Sequence, residues 1–296
     1  MRRRHLILIS LAGLASFVAL LLRKGEKRTV RGGWPVNLAH RGASALAPEN
    51  TIEAFRLAVE DGAGGLELDV HMTRDGHIVV IHDATVDRTT NGTGALSEMT
   101  LDELRKLDAG HNFSPDGGPT RPYRGREVRV PTLGEILREF PGVAVNIEIK
   151  ARTPDIEETV LGVLRQGNAL GRVLVVSTLH GIVKRFRKVS SGHVSTGASR
   201  WEIGVFYISS RVRLECLVRP AYDALQVPLR HRGITVVTPR FVRAAHARGV
   251  RVDAWTINQA DEMRRLLDLG VDVIMTDRPG TLAAVLENRP PTFTPP

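Results

Sequence analysis

The sequence predicts an α/β fold in which eight parallel strands close into a barrel, and three observations carry that expectation. Short apolar runs alternate with amphipathic stretches from Val36 onward. The alternation continues for about 250 residues without a second Gly/Pro-rich linker, which matches one barrel domain better than two smaller ones. Two of the strands also carry polar side chains at every second position, so one face of each strand is charged while the other is apolar. Composition agrees: the 296 residues are 42% hydrophobic and 25% charged, which excludes a disordered chain, a collagen and a long coiled coil. The single cysteine, Cys216, excludes an intramolecular disulfide framework and a Cys-rich zinc module.

In order along the chain, strands are expected at Val36–Ala39, Gly65–Val70, Ile78–His82, Val143–Ile149, Val173–Ser177, Val194–Gly197, Ala224–Pro228, Val250–Thr256 and Val273–Thr276. Eight suffice for a barrel, so one of these runs is expected outside it. Helical periodicity lies between many of them. Thr51–Glu60 puts Ile52, Phe55 and Val59 on one face, and Leu101–Leu107, Leu133–Phe140, Ile156–Arg165, Pro239–Ala247, Ala260–Leu269 and Gly280–Leu286 behave similarly. The interval from His82 to Leu133 is about fifty residues, far longer than an ordinary βα connection. It is basic around Arg121, Arg124, Arg126 and Arg129. In a barrel it emerges at the catalytic face, as a solvated loop or as part of a substrate lid. The Pro-rich tail, residues 289–296, is expected to be loose.

The net charge of +9 belongs mainly to the N-terminus. Residues 1–35 hold eight basic side chains against Glu26, a balance of +7, which leaves +2 for the other 261 residues. That remainder supplies no basic stripe for nucleic acid. Within the leader, Leu6–Leu22 carries no formal charge and is flanked by Arg2–Arg4 and Arg23–Lys24. Seventeen helical residues reach about 26 Å, enough for a hydrocarbon core. The segment reads as an N-terminal hydrophobic helix anchoring the domain to a membrane. The alternatives are a cleaved signal peptide, leaving a secreted protein, and a buried helix. Basic residues on both sides leave the orientation open. The folded domain is assigned to residues 36–288.

The chemistry collects at strand ends. In Gly65–Val70, Glu67 and Asp69 share one face, and in Val145–Lys150 so do Asn146, Glu148 and Lys150. The apolar faces must meet the helices, so the charges point into the barrel, where they need partners. Glu148 with Lys150 could be a structural salt bridge, yet three acids together are better explained as hard oxygen ligands for Ca²⁺ or Mg²⁺. His40 and His82 each end a strand and suit a general acid and a general base. Arg41 and Lys150 add positive charge for an anionic group. No G-x-S-x-G, P-loop or Rossmann glycine pattern is present. A cation, two imidazoles and two basic side chains together describe a phosphoryl-transfer site.

These residues resemble the glycerophosphodiester phosphodiesterase family. The likeness rests on His40-Arg41-Gly42, Pro48-Glu49-Asn50-Thr51, Glu67-Leu68-Asp69-Val70, Thr73-Arg74-Asp75-Gly76 and His82-Asp83. It continues through Arg88–Gly94, Glu148-Ile149-Lys150, Trp255–Asn258 and Thr276–Pro279. The stretch Val194–Cys216 matches loosely, and Ala63-Gly64-Gly65-Leu66 departs from the bulkier apolar–acidic start the family often has. The resemblance implies a TIM (β/α)8 barrel and metal-dependent hydrolysis of a glycerophosphodiester to sn-glycerol 3-phosphate and an alcohol. It implies Glu67, Asp69 and Glu148 as metal ligands, His40 and His82 as the acid–base pair, and Arg41 and Lys150 as phosphate contacts. Trp255 would line the substrate side, or else be a core aromatic. Glu49 would support the site, or else be an acid favoured at a helix start. A lysophospholipase D or another phospholipid phosphodiesterase on the same barrel is the neighbouring reading. A non-catalytic lipid-binding module is the reading from a different class.

Overall fold

A computed structural model of the chain describes residues 33–288. Eight parallel strands form the barrel: β1 (Asn37–His40), β2 (Gly65–Met72), β4 (Ala144–Ile149), β5 (Val173–Val176), β6 (Ser195–Thr196), β7 (Ala224–Pro228), β10 (Arg251–Trp255) and β11 (Val273–Thr276). Their spatial order is β6-β5-β4-β2-β1-β11-β10-β7. A parallel bridge between Gly197 and Ala224 joins the two ends of this series, so the ring closes. The strand outside the ring is β3 (Ile78–Val80), which folds back antiparallel on β2. It is shorter than the sequence expectation of Ile78–His82 because His82 already leaves the ladder. A two-residue pair, β8 (Arg230–His231) and β9 (Ile234–Thr235), makes a hairpin above β7.

The helices are α1 (Ile52–Glu60), α2 (Leu101–Leu104), α3 (Leu133–Glu139), α4 (Ile156–Gln166), α5 (His180–Val189), α6 (Arg200–Arg211), α7 (Pro239–Ala247), α8 (Ala260–Asp268) and α9 (Pro279–Glu287). Thr51, Thr100, Thr132, Ser199 and Thr238 cap five of them by accepting a backbone N–H. The apolar faces of β2 and β4, among them Leu66, Leu68, Val70, Val145, Ile147 and Ile149, are fully buried in one cluster with residues of α1, α3, α4 and α5. At about 25 cal/mol per Å² of apolar surface, this layer and a second buried cluster on the β7, β10 and β11 side drive closure together. The polar faces of β2 and β4 point the other way, into the barrel.

The long interval after His82 is a packed insertion. Val86, Leu96, Leu101, Leu104, Ala109, Val128 and Val130 form their own buried cluster with Val79 and Ile81. Its arginines are used locally: Arg124 donates to the His111 carbonyl (2.9 Å), and Arg126 stacks on Tyr123. At the opposite end of the barrel Trp34 packs on two apolar clusters, one containing Leu38, Val273 and Met275 and the other Leu174, Val176 and Ala224. The Arg251 guanidinium lies 4.3 Å from its ring centre.

The N-terminal hydrophobic helix read as a membrane anchor, and the tail after Asn288, lie outside the described residues. Among the described residues no helix is long and apolar enough to cross a membrane.

Candidate active site

Backbone register brings the acids together. Strands β2 and β4 pair so that Glu67 sits opposite Asn146 and Asp69 opposite Glu148. Glu67, Asp69 and Glu148 each offer an oxygen within 4.8 Å of the others. Glu67 and Asp69 are buried. Burial first, and then the Asp69 carboxylate, push Glu67 up to about 7. Asp69 goes the other way: burial acts to raise it, but Lys150 and Arg41 hold it below the ordinary carboxylate range. Lys150 Nζ lies 3.0 Å from Asp69 and 2.7 Å from Glu148, and Arg41 Nε lies 3.1 Å from Asp69. Asn50 donates to Asp69 (3.0 Å) and accepts from its backbone N–H. The donor set is all oxygen, hard, and crowded with like charge around Glu67. A divalent cation fits it, and these three carboxylates are the residues that would hold one.

Two histidines flank the acids. His40, at the end of β1, pairs through Nδ1 with Asp277 (2.7 Å) just beyond the neighbouring strand β11. Asp277 is itself fixed by Ser44 (2.9 Å) and Asn258 (2.7 Å). Burial alone would lower His40, but the Asp277 hydrogen bond and the Glu67 charge outweigh it and leave its pKa raised. His82 reaches the site from β3, where Ile81 N–H donates to the Asp69 carbonyl (2.9 Å). Its Nδ1 pairs with Asp83 (2.6 Å). Asp83 accepts from Arg88 (2.6 Å), and this bond, with the His82 contact, holds it at about 2. In both histidines Nδ1 is engaged by a carboxylate, which leaves Nε2 as the nitrogen available for proton transfer.

Glu49 accepts two bonds from Arg88 (2.7 and 2.8 Å) and one from Arg41 (3.0 Å). The cap of α1 is Thr51, so Glu49 ties two arginines together and does not serve as the helix-start acid. Arg41 has a positive φ of 55°, a turn that lets its N–H donate to Glu67 (3.1 Å) while its side chain reaches Asp69. Trp255, at the end of β10, is 41% exposed and therefore a rim residue, not a core aromatic. All nine expected residues thus gather at the C-terminal ends of the strands. Sequence reasoning gave no role to the partners Asp277, Asp83, Asn50, Asn258, Ser44 and Arg88, although all but Ser44 lie in the motifs that carry the resemblance. Asp83 stands next to His82 and was readable as an orienting acid; Asp277 is separated from His40 by 237 positions.

A closed eight-strand barrel with acids, imidazoles and basic groups at its C-terminal mouth has the composition of a phosphoryl-transfer enzyme. Comparison with known proteins makes this specific. Residues 40–281 match the glycerophosphoryl diester phosphodiesterase family. The chain is 39% identical over 254 residues to a glycerophosphodiester phosphodiesterase of Caldanaerobacter subterraneus subsp. tengcongensis, covering 83% of this chain and 95% of that one. An Oleispira antarctica phosphodiesterase, solved in complex with the product sn-glycerol-3-phosphate, superposes with a TM-score of 0.67 at 27% identity, over 85% of this chain and 96% of that one. The glycerophosphoryl diester phosphodiesterase domain of a Mycobacterium tuberculosis protein shares the fold with a TM-score of 0.76 at 23% identity, over 86% of this chain and all of that one. The chain belongs to the glycerophosphoryl diester phosphodiesterase family, and it is a phosphoric diester hydrolase.

Proposed function

We propose that this chain hydrolyses glycerophosphodiesters to sn-glycerol 3-phosphate and an alcohol, using a divalent cation held by Glu67, Asp69 and Glu148. The observation that carries the reading is the pair of carboxylate-gripped histidines beside a three-carboxylate cluster. When bound, Ca²⁺ or Mg²⁺ supplies Lewis-acid neutralisation of the phosphodiester. Arg41 and Lys150 neutralise the phosphate oxygens from the protein side. His82 removes the proton from the attacking oxygen, of water or of the neighbouring glycerol hydroxyl. His40, whose pKa the Asp277 contact raises, donates its proton to the departing alkoxide. With water, the P–O bond to the alcohol breaks as the new P–O bond forms, and the proton taken by one imidazole balances the one given by the other. With the glycerol hydroxyl, the same exchange leaves a cyclic phosphate, which water then opens to glycerol 3-phosphate as His40 takes the water's proton and His82 returns its own to the ring oxygen.

A lysophospholipid substrate is the second reading. It is favoured by Trp255 and Ile234, 41% and 55% exposed, near the ends of the paired strands β10 and β7. The leader, read as a membrane tether, accords with it. The test offers the full chain glycerophosphocholine, glycerophosphoethanolamine and lysophosphatidylcholine, each with Ca²⁺, Mg²⁺ or EDTA. Glycerol 3-phosphate should appear with a hard cation and vanish in EDTA. Lysophosphatidic acid as the main product would select the second reading. Full turnover in EDTA would overturn the metal assignment.

A further inference from the structure

The outer face of α6 is exposed among the described residues, apart from a tilted ring contact of Trp201 with His180, centres 5.5 Å apart. Its inner face is conventional: Phe206 is fully buried and meets Phe241 of α7 with ring centres 5.7 Å apart. The outer face is also apolar. Trp201, Val205 and Ile208 recur along α6, and Val212 follows at its C-cap, at spacings of four, three and four. Their exposures are 65, 36, 64 and 58%, and Leu214 just beyond is 49% exposed. These are five of the nine exposed large hydrophobic residues in the described chain, gathered on one stripe.

The stripe's charges say what would cover it. Arg200 stands at one end and Arg211 and Arg213 at the other, all exposed and none in an ion pair with a described residue. The nearby acids are already engaged: Glu202 by Arg187 (2.6 Å) and by the Ser199 cap, Glu215 by Arg240 (3.2 Å). A second copy docked on the same face would set arginines against arginines, since a two-fold contact pairs a patch with itself. The leader's apolar run, Leu6–Leu22, carries no charge, and its flanks are basic, so it offers the arginines nothing. An apolar stripe with a tryptophan at one end and unpaired arginines at both is suited to lie in the headgroup region of an anionic bilayer.

We propose that the outer face of α6 is a docking surface for an anionic phospholipid membrane. Because α6 follows β6, its Trp201 end lies at the same end of the barrel as the carboxylate cluster. Docking along the stripe therefore lays the barrel on its side with the edge of its mouth at the headgroups. The inference stands apart from the catalytic reading and holds for either substrate class.

The chain carries its own probe. Its single cysteine, Cys216, is exposed and two residues beyond Leu214. An environment-sensitive fluorophore on Cys216 of the full chain should brighten and shift to the blue on phosphatidylglycerol–phosphatidylcholine vesicles. It should respond weakly on phosphatidylcholine alone, and salt should reverse the response. Arg211→Ala with Arg213→Ala should shift the equilibrium between immersed and hydrated label roughly 25-fold toward water, about fivefold per arginine. Ile208→Glu with Val212→Glu should return the label to water while the thermal melt is unchanged, because both side chains are already exposed. A label unaltered by phosphatidylglycerol vesicles would overturn the proposal. So would an equal response on uncharged vesicles, or a label already dry without vesicles, which would mean that the leader or a second copy covers the face.

Discussion

The barrel encloses two sets of charges, and they are built on opposite terms. Near the N-terminal ends of the strands, Arg251 is 5% exposed and grips the fully buried Asp253 through two bonds, 2.8 and 3.1 Å. Gln226 links Asp253 to Asn146, and Trp34 lies over the guanidinium. This floor is balanced, one cation to one anion. At the C-terminal ends, Glu67, Asp69 and Glu148 face Lys150 and Arg41, and the deficit of positive charge falls on Glu67. The floor spends its charges on holding the barrel together; the mouth keeps one carboxylate uncompensated for a ligand. Removing a charge should therefore harm folding at one end and chemistry at the other.

The largest effect is expected at the mouth. His82→Ala should lower kcat on the order of 10²–10⁴-fold with the melting temperature nearly unchanged, read by steady-state kinetics and calorimetry on the same sample. At the floor, Asp253→Ala leaves a buried guanidinium without its partner. It should cost about 3–5 kcal/mol, roughly 10 °C in a domain of this size, while activity per folded molecule is retained. Equal losses of activity from both variants would erase the distinction between the two ends.

Much of the mouth was legible in the sequence, and the reason is periodicity. Glu67, Asp69 and Glu148 interrupt apolar strands at every second position, and only an interior-facing charge makes that pattern. Yet Arg251-Val252-Asp253 has the same alternation, and nothing local to it shows that its charges neutralise each other. Asp277 escaped for a related reason: it meets His40 only when β11 closes against β1. Helix α6 was missed because it is apolar on both faces, which removes the one-sided stripe that periodicity detects. Helix α5 was missed as well; no side chain caps its start.

The pH dependence of stability sharpens the contrast. In metal-free protein Glu67 has its pKa raised from 4.5 to about 7 in the fold, so the native state holds a proton that the unfolded chain has released. Between pH 4.5 and about 7 its contribution to stability should fall as pH rises. Glu67→Gln should flatten that slope and raise the melting temperature at neutral pH, while abolishing activity; a lower melting temperature would contradict the idea of uncompensated charge. The smallest effect is expected for Asp277→Asn. His40 is raised above 6.5 and Asp277 lowered below 3.8, so their mutual stabilisation is complete between those values. It fades as pH rises through the folded value of His40 and as pH falls through that of Asp277. The melting-temperature gap between wild type and Asp277→Asn, measured in chelator, should be widest near pH 5–6 and narrow in alkali.

The central claim is that His40 and His82 divide the two proton transfers, and leaving-group chemistry tests it most directly. The measurement is kcat for His40→Ala and His82→Ala on glycerophosphocholine and on a glycerophosphodiester with a p-nitrophenol leaving group, which departs without a proton. Both variants should be crippled on the choline ester, and only His40→Ala should recover on the p-nitrophenyl ester. Wild-type kcat in both variants on the choline ester would contradict the account.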